Sequence, residues 1–338
     1  MTCYVYCSTK HGGHYVLLKP DRLVKDALKY LAGKEPSEVL YLYFYRYILH
    51  RYCMRYTFAQ FKTEYPDDDA CLQAVFDNRF GDLDTCPGCG VIGTKFYRVK
   101  KRQCYACMHC GHQLFPLADT IFRKTRVPLW SWFYAIYLFS VGKNGVSAKE
   151  LERHLGVTYK TAWRMAQQIR KLMCEDVGKL GGGDTHVEVD ETYVGGRRRS
   201  SARYTNKEPV FGMVERGGRV KAMHVKSTGS RVLMPHLTTG IVTGSTVYTD
   251  EAGVYKKLNQ KGYVHDTVKH SLYEYVRIDV YTNTIEGFWS LLKRGLHGTY
   301  HRVSPKYLNL YVQEYVFRYN HRQVAVGPVL LARVGMRV

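Results

Sequence analysis

The sequence lacks a long, uninterrupted apolar run. Its most apolar stretch, residues 39–58, is broken by the basic side chains of Arg46, His50, Arg51 and Arg55. Because a helix needs about 20 mostly apolar residues to span a bilayer, no membrane helix is predicted here. The first residues, MTCYVYCSTKHGGHYV, also lack the basic start and continuous apolar run of a secretion signal. We therefore expect neither a membrane protein nor a secreted one.

Acidic residues are scarce relative to basic ones. The 338 residues include 50 Lys and Arg against 29 Asp and Glu, which leaves a formal net charge of +21. Such a positive field attracts polyanions, so nucleic acid is the leading expected partner and an anionic membrane surface the second. The hydrophobic content of 45% and the charged content of 23% are ordinary for a folded protein, and the length allows two or three domains.

The ten cysteines are used unevenly, and their pattern favours metal binding over disulfides in a chain without a secretion signal. Two C-x2-C pairs, separated by 17 residues, supply four thiolates that suit tetrahedral zinc: Cys86, Cys89, Cys107 and Cys110. Gly90 and Gly111 follow the pairs, where the chain must turn sharply. The alternatives are free or core cysteines, or a substitute ligand from Cys104, His109 or His112. Four filled positions leave none for a catalytic water, so a structural site is predicted.

Two short helices are predicted after the cysteine-rich stretch. The segment SAKE at 147–150 has the form of a capping box, and the helix that it starts ends at Gly156. Thr158 can cap a second helix, whose apolar stripe consists of Ala162, Met165, Ala166 and Ile169. Two helices joined by a glycine turn form a helix-turn-helix, which would direct three side chains toward DNA: Tyr159, Lys160 and Arg164. The alternative is an ordinary helical hairpin with a solvated basic face.

Three acidic residues stand out by their settings. Asp190 ends the strand-like alternation THVEVD, in which Glu188 and Asp190 share one side and two valines the other. Asp250 ends a second strand-like run, STVYTD. Glu286 belongs to a helical segment with a clear apolar stripe and an adjacent polar face. The stripe is Ile285, Phe288, Trp289, Leu292 and Leu296, and the polar face is Asn283, Glu286 and Lys293.

Carboxylates at two strand ends and on one helix can hold two Mg²⁺ ions through oxygen ligands. Metals about 4 Å apart clamp the attacking and leaving oxygens of an in-line phosphoryl displacement. The alternative for any single acid is a solvated charge, and three other acids compete nearby: Glu188, Glu191 and Glu251. The intervals D-x35-E and E-x6-K, counted from Asp250 to Lys293, favour the metal site.

At these motifs the sequence resembles the DDE transposases of bacterial insertion sequences with an N-terminal zinc ribbon, a group related to the Merlin elements. The matching stretches, which run from about residue 58 to about residue 322, are CPGCG, CMHCGHQLF, TIFRKTRVPLW, GVTYKTAWRM, VEVDETYVGG, VYTDEAGVY, NTIEGFWSLLKRG and YVFRYNHR. The resemblance implies an α/β RNase H-like catalytic domain, a mixed sheet flanked by helices, preceded by the zinc ribbon and the helix-turn-helix. It also implies dependence on Mg²⁺ or Mn²⁺.

The resemblance also implies roles for individual residues. Five positions are implied to be catalytic. The acids that bind Mg²⁺ are Asp190, Asp250 and Glu286. Lys293 is the associated base that contacts DNA, and Asn283 is a metal-facing neighbour. The family often has glycine where Asp119 precedes the TIF motif, and we expect no functional loss from this difference. Residues 1–55 have no counterpart in the family. After the first catalytic strand, a basic loop with Arg197, Arg198 and Arg199, beside Arg203, either touches DNA phosphates or is a solvated hairpin tip.

The chain is thus predicted to have five parts: an N-terminal arm of unknown role (1–70), a zinc ribbon (71–117), a helix-turn-helix region (118–178), the catalytic domain (179–323) and a tail (324–338). Together they predict a transposase that cleaves the inverted-repeat ends of a mobile element and joins the 3′-OH to target DNA. Double-stranded DNA and further copies of the chain, in a dimer or higher assembly, are the expected partners. The expected location is the cytoplasm, on the nucleoid, or the nucleus of a eukaryotic source. The alternatives are a catalytically silent DNA-binding regulator and another RNase H-like nuclease.

Overall fold

The computed structural model describes residues 56–183, 185–195, 207–267 and 282–337, together with the backbone of one hairpin near the N-terminus. The chain divides into two compact units, Met1–Arg55 and Tyr56–Val338. In the first unit, β1 (Cys3–Thr9) and β2 (Gly12–Leu18) pair in antiparallel fashion. All the remaining elements belong to the second unit.

The second unit begins with two helices and a small sheet. Thr57 caps α1 (Phe58–Glu64) and Asp67 caps α2 (Asp68–Phe80), each with a side-chain oxygen that accepts a backbone N–H. The antiparallel strands that follow are β3 (Phe96–Val99), β4 (Cys104–Cys107) and β5 (Gln113–Leu114). The predicted boundary between the N-terminal arm and the zinc ribbon, at residues 70 and 71, falls inside α2.

Three helices occupy the next part of the chain: α3 (Leu129–Val141), α4 (Ala148–Leu155) and α5 (Tyr159–Leu172). Ser147 Oγ accepts the N–H of Glu150 at 3.1 Å, and Gly156 ends α4 with a φ of +63°, so both predicted ends of this helix are confirmed. The predicted apolar stripe on α5 is confirmed as well, because its four residues are buried. No helix in the described parts of the chain is both long enough and apolar enough to cross a membrane.

Asp119 stands where the resembling family often has glycine, and it has a φ of +57°. Glycine adopts this left-handed conformation without steric cost, and aspartate tolerates it better than most residues because its short side chain can bond to nearby backbone. The local backbone geometry therefore accounts for both residues at this position.

A five-stranded sheet forms the centre of the C-terminal half. Its strands are β6 (His186–Val194), β7 (Glu208–Glu215), β8 (Val220–His224), β9 (Thr246–Thr249) and β10 (Val264–Thr267). The order across the sheet is β10-β9-β6-β7-β8. The pairs β6–β7 and β7–β8 are antiparallel, whereas β6–β9 and β9–β10 are parallel. The sheet is therefore mixed, as predicted.

Helices cover both faces of this sheet. They are α6 (Ser230–Gly240), α7 (Asn283–Gly295) and α8 (Pro305–Asn320). On β7, Gly212 lies under Trp289 of α7, whereas its neighbour Met213 lies against Gly240 of α6. Successive strand residues point to opposite faces, so α6 and α7 lie on opposite sides. The predicted stripe on α7 is confirmed, because all five of its residues are buried.

The last residues pack onto the helical core rather than forming the predicted tail. A short helix, α9 (Val326–Leu331), brings Leu330, Leu331 and Val334 into the core of α1 to α5, where they are buried together with Phe317 of α8. The segment VGPVLL contains glycine and proline and no clear helix period, so its sequence carries a weak helical signal. Burial of its apolar side chains supplies the stability that local propensity does not.

A buried ionic cluster joins the helical part to the sheet part. Arg170 Nε, on α5, donates to Glu314 Oε2 of α8 at 2.9 Å, and both side chains are almost completely buried. Tyr300 and Arg318 donate to the same carboxylate. Burial raises the pKa of Glu314, but the positive charges of Arg170 and Arg318 outweigh it and leave this pKa below its usual value. Removal of one partner would leave an uncompensated charge in the interior.

We expect Gly145→Ala to destabilise the protein strongly, because Gly145 has a φ of +89° and lies against this cluster. An added Cβ would overlap the Tyr300 hydroxyl and approach Glu314 Oε1 to 2.8 Å. The free energy of unfolding, measured in urea, should fall by about 3–5 kcal/mol. Gly156→Ala is the matched control: φ is also positive there, but the surrounding space is open, so the loss should be about 1–2 kcal/mol. Equal losses would contradict this role for Gly145.

Candidate functional site

The four predicted cysteines come together between two tight turns of the small sheet. Cys86 Sγ lies 3.7 Å from Cys110 Sγ, and Cys89 Sγ lies 4.0 Å from Cys107 Sγ. Four sulfurs around zinc with Zn–S bonds of about 2.3 Å are about 3.8 Å apart in a regular tetrahedron. Within the described ranges, these four form the one group of three or more His, Cys, Asp or Glu side chains whose ligand atoms all lie within 4.8 Å of one another. The residues fit structural zinc.

The turn around Cys107 favours the thiolate form of this residue, whereas burial and the neighbouring thiols raise the pKa of Cys110. The Thr94 hydroxyl lies 3.3 Å from Cys107 Sγ, and the backbone N–H of His109 donates to the same sulfur. These hydrogen bonds, the one from Thr94 foremost, lower the pKa of Cys107 to about 5. Gly90 and Gly111 both have a positive φ, so the predicted reason for glycine after each pair is confirmed.

The sheet register places the two aspartates at the same level. β6 and β9 are parallel neighbours, and Glu188 pairs with Tyr248. Two residues further along come Asp190, in the middle of β6, and Asp250, directly after the carboxyl end of β9, so the two lie side by side. In a sheet with parallel neighbours, this edge is where ligands commonly bind.

Helix α7 brings the third acid to the two aspartates. Glu286 lies in the first turn of α7, and its exposed side chain is close enough for its charge to act on Asp190. Burial raises the pKa of Asp190, and the negative charges of Asp250 and Glu286 raise it further. The Trp289 indole opposes this shift, because its Nε1 donates to Asp190 Oδ2 at 2.9 Å. The three carboxylates thus interact, although their oxygens are not all within 4.8 Å of one another.

A glycine on the neighbouring strand makes room for the Trp289 ring. Gly212 of β7 pairs directly with Asp190. A Cβ on Gly212 would come within 2.5 Å of Trp289 Cη2 and 3.1 Å of Ile285 Cδ1. The bare backbone at this position allows the indole to lie over the strand and to reach the carboxylate of Asp190. Sequence reasoning identified Trp289 only as a core residue.

Glu188, which the sequence suggested as a solvated competitor, is completely buried. Its carboxylate accepts the backbone N–H groups of Thr284 and Ile285 at 2.9 and 3.0 Å, and the Thr284 hydroxyl at 2.8 Å. Arg216 Nε also donates to it at 2.8 Å. Since α7 has no side-chain cap of its own among the described residues, Glu188 fulfils that role from β6. It therefore fixes the helix one residue before Glu286.

A cavity of about 400 Å³ opens beside the aspartates. Asp190, Glu191 and Asp250 line it, together with Tyr193, Thr228 and residues 252–254. Burial, and then the charges of Asp250 and Asp190, raise the pKa of Glu191 to about 7, although the nearby Tyr255 hydroxyl acts against the shift. Strand alternation would have placed Glu191 away from Asp190, so the sequence offered no signal for its presence in this cavity.

The other two predicted catalytic residues lie on α7, one on each side of Glu286 in the sequence. Asn283 is exposed at the start of the helix, and Lys293 is half-buried two turns after Glu286. Within the described residues, no hydrogen bond or ion pair joins either side chain to the three acids.

A histidine, His265, lies on β10 at the same side of the sheet order as β9. It forms a 2.9 Å hydrogen bond with the Thr249 hydroxyl, and burial lowers the pKa of His265.

The three basic or aromatic side chains predicted to contact DNA are exposed near the start of α5. Lys160 and Arg164 are one turn apart and share a face, and Tyr159 lies beside them. Lys149 Nζ lies 5.1 Å from the centre of the Tyr159 ring, and Arg164 donates to the carbonyl of Arg123 at 3.1 Å. The predicted loop with Arg197, Arg198 and Arg199 lies outside the described residues.

Comparisons with known proteins match two parts of the chain. Residues 179–320 match the ISXO2-like transposase domain, and residues 66–113 match the transposase zinc-ribbon domain. The chain is 29% identical over 255 residues to an uncharacterized protein in transposable element ISH50 of Halobacterium salinarum, with 69% of this chain and 84% of that protein covered. It is 26% identical over 106 residues to an uncharacterized transposase-like protein of Haemophilus influenzae, with 31% and 85% covered. The two matched domains contain the four cysteines and the three acids.

We expect Cys107→Ser to remove bound zinc, because three thiolates and a hydroxyl form a weaker site for this soft-ligand metal. Elemental analysis of the purified protein should give one zinc per chain for the wild type and much less for this variant. Cys104→Ser is the matched control, since Cys104 is buried nearby but lies outside the group of four. Equal zinc content in the two variants would contradict the assignment.

We expect Glu188→Gln to lower the free energy of unfolding by about 2–4 kcal/mol, because it removes the buried negative charge that accepts the N–H groups at the start of α7 and pairs with Arg216. Glu191→Gln provides a control three residues along the same strand: the raised pKa of Glu191 means that a neutral side chain is tolerated there. Urea denaturation of both variants measures the difference. If Glu188→Gln were as stable as wild type, Glu188 would not anchor the helix.

Proposed function

The chain belongs with the transposases that carry an ISXO2-like domain behind a zinc ribbon, and we propose that it cuts the ends of a mobile DNA element and joins them to target DNA. The main support is that Asp190 and Asp250 lie side by side on neighbouring strands, and that Glu286 of α7 is close enough for its charge to raise the pKa of Asp190. Clustered carboxylates repel one another and need positive charge to neutralise them. A binding protein without chemistry has no need of such a cluster.

The three acids fit divalent metal. Hard cations such as Mg²⁺ and Mn²⁺ prefer carboxylate oxygens, and a spread beyond 4.8 Å suits ligands that share two ions about 4 Å apart. When bound, such ions stabilise the charge that develops on the attacking and leaving oxygens of a phosphodiester. In this proposal Asp190 and Asp250 hold the metals from the sheet and Glu286 holds them from the helix. Trp289 keeps the Asp190 carboxylate in one orientation through its 2.9 Å hydrogen bond.

The remaining parts of the chain position the DNA. Lys293 contacts the DNA beside the acids, with Asn283 as a neighbour of the metal site. The exposed face of α5, with Tyr159, Lys160 and Arg164, enters the major groove as the second helix of a helix-turn-helix. The zinc ribbon, the basic loop at 197–199 and the net charge of +21 add contacts to phosphates.

In this proposal the reaction consists of two displacements at one site. In the first, water attacks the phosphodiester at the element's end and leaves a free 3′-OH. In the second, this 3′-OH attacks a phosphodiester of the target and releases one of its strands. Each step is a direct in-line displacement, so no covalent bond between protein and DNA is needed. The mixed sheet with helices on both faces supports the RNase H-like fold, and paired cutting of two ends calls for a dimer or higher assembly.

We expect Asp190→Asn to reduce DNA cleavage more than about 100-fold, because it removes one charged metal ligand and unbalances the cluster. A plasmid that carries the DNA flanking the coding region, incubated with Mg²⁺, reports both nicking and joined products on a gel. Asp266→Asn is the matched control, an exposed aspartate on β10, which β9 separates from the strand of Asp190. Equal cleavage by Asp190→Asn and wild type would favour a regulator. Cleavage of branched DNA with no joined product would favour another nuclease.

A further inference from the structure

A second cavity, of about 450 Å³, lies between α5 and the start of α8. It is away from the three acids, and none of the residues that line it belongs to the proposed metal site. Three aromatic and three polar residues dominate its wall: Trp163, Tyr307, Tyr311, Gln167, Arg302 and Ser304. This combination of planar rings, an amide and a cation differs from the apolar lining of a packing defect.

Gln167 is the most informative residue in this wall. Its side chain is only 5% exposed, and its Nε2 donates to the Tyr311 hydroxyl at 3.1 Å. Within the described parts of the chain, its Oε1 has no hydrogen-bond partner. Buried amide oxygens in proteins nearly always accept a hydrogen bond, because an unmade one is costly. The cavity therefore offers an acceptor that a ligand with an N–H group would satisfy.

The aromatic residues provide a surface for a flat ring. Trp163 and Tyr307 meet edge to face, with ring centres 5.0 Å apart and an angle of 81° between their planes. Both side chains are half-buried, so part of each ring remains accessible at the cavity. Nucleobases stack well on such rings, whatever their sequence.

The start of α8 provides positive charge at the same cavity. This helix has 16 residues, no acidic residue in its first turn and, within the described residues, no side-chain cap bond from Ser304. Pro305 has no backbone N–H, and the N–H of Tyr307 donates to the Ser304 carbonyl at 2.9 Å, so the attraction for an anion such as a phosphate comes from the helix dipole and the neighbouring cations. Arg302 and Lys306 are exposed beside it, and Lys306 Nζ lies 5.5 Å from the centre of the Tyr307 ring.

We propose that this cavity binds one unpaired nucleotide of the DNA on which the protein acts. The base stacks on the ring of Tyr307, with Trp163 beside its edge, and donates an amino or ring N–H to Gln167 Oε1. Its phosphate lies at the start of α8, next to Arg302. This inference rests on the proposed function as a DNA enzyme, and it gives α5 a second role. The exposed face of α5 holds duplex DNA, while Trp163 and Gln167 of the same helix hold a base that has left the stack.

The test compares three duplexes of one sequence that differ at a single position: fully paired, with one extrahelical 2-aminopurine, and with an extrahelical abasic site. Fluorescence anisotropy with the full-length, zinc-loaded protein measures their affinities. We expect the extrahelical base to bind about 5- to 100-fold more tightly than the paired and abasic duplexes, as stacking of one base predicts. The 2-aminopurine fluorescence should fall on binding, because stacking on an aromatic ring quenches it.

Gln167→Met should lose most of this preference while it retains the affinity for paired duplex, because it removes the amide and keeps a similar shape. Gln168→Met is the matched control, with the same chemical change one residue along α5 at a position outside the cavity wall. Tyr307→Leu, on the half-buried wall, provides a second variant if the buried change prevents folding.

The outcomes separate the two claims. Equal affinity for all three duplexes, with unquenched 2-aminopurine, would overturn the nucleotide cavity but leave the proposed function intact. An equal loss of preference in Gln167→Met and Gln168→Met would also overturn it. Failure to bind any of the three duplexes would count against both the cavity and the proposed function.

Discussion

The burial of one carboxylate, Glu188, governs the geometry of the whole candidate site. It receives the N–H groups at the start of α7 and the guanidinium of Arg216, so that helix and sheet have one fixed alignment at this point. A charge buried this deeply is stable only while all its partners stay in place. The helix that presents Glu286 is therefore held by a neighbour of Asp190 on the same strand, and the distance between the two acids depends on that anchor.

A second buried carboxylate has the same function on a larger scale. Glu314 binds Arg170 of the helical part and Arg318 of its own helix, at the junction of the two cores. Helix α5 thus cannot shift relative to α8 without separating buried charges. This coupling matters because the exposed face of α5 is the proposed duplex contact, and the cavity at the start of α8 is the proposed nucleotide contact. Both would keep a constant position relative to the acids on the sheet.

Local patterns predicted the parts of the site better than its connections. The four cysteines, the ends of α4, and the buried stripes of α5 and α7 all follow from spacing and capping, which depend on residues close in sequence. The role of Glu188 did not follow, because a buried acid and a solvated acid look alike in an alternating strand. Glu191 was missed for a related reason. The apolar residues of α9 pack only because a distant helical core is there to receive them.

The sequence alone was enough for the chemical inventory: four thiols placed for zinc, a basic chain that suits a polyanion, and acids on two strand-like segments and one helix. Composition and short-range periodicity carry this information, since they reflect which side chains each turn or strand presents. The strand end predicted at Asp190 was wrong, because β6 continues to Val194. The tertiary structure was needed to show which acids lie close together and which acid is buried as a structural anchor. It was also needed to show which buried amide oxygen, within the described residues, has no hydrogen-bond partner. Those outcomes depend on contacts between residues about a hundred positions apart, where desolvation and charge pairing, rather than local propensity, set the energy.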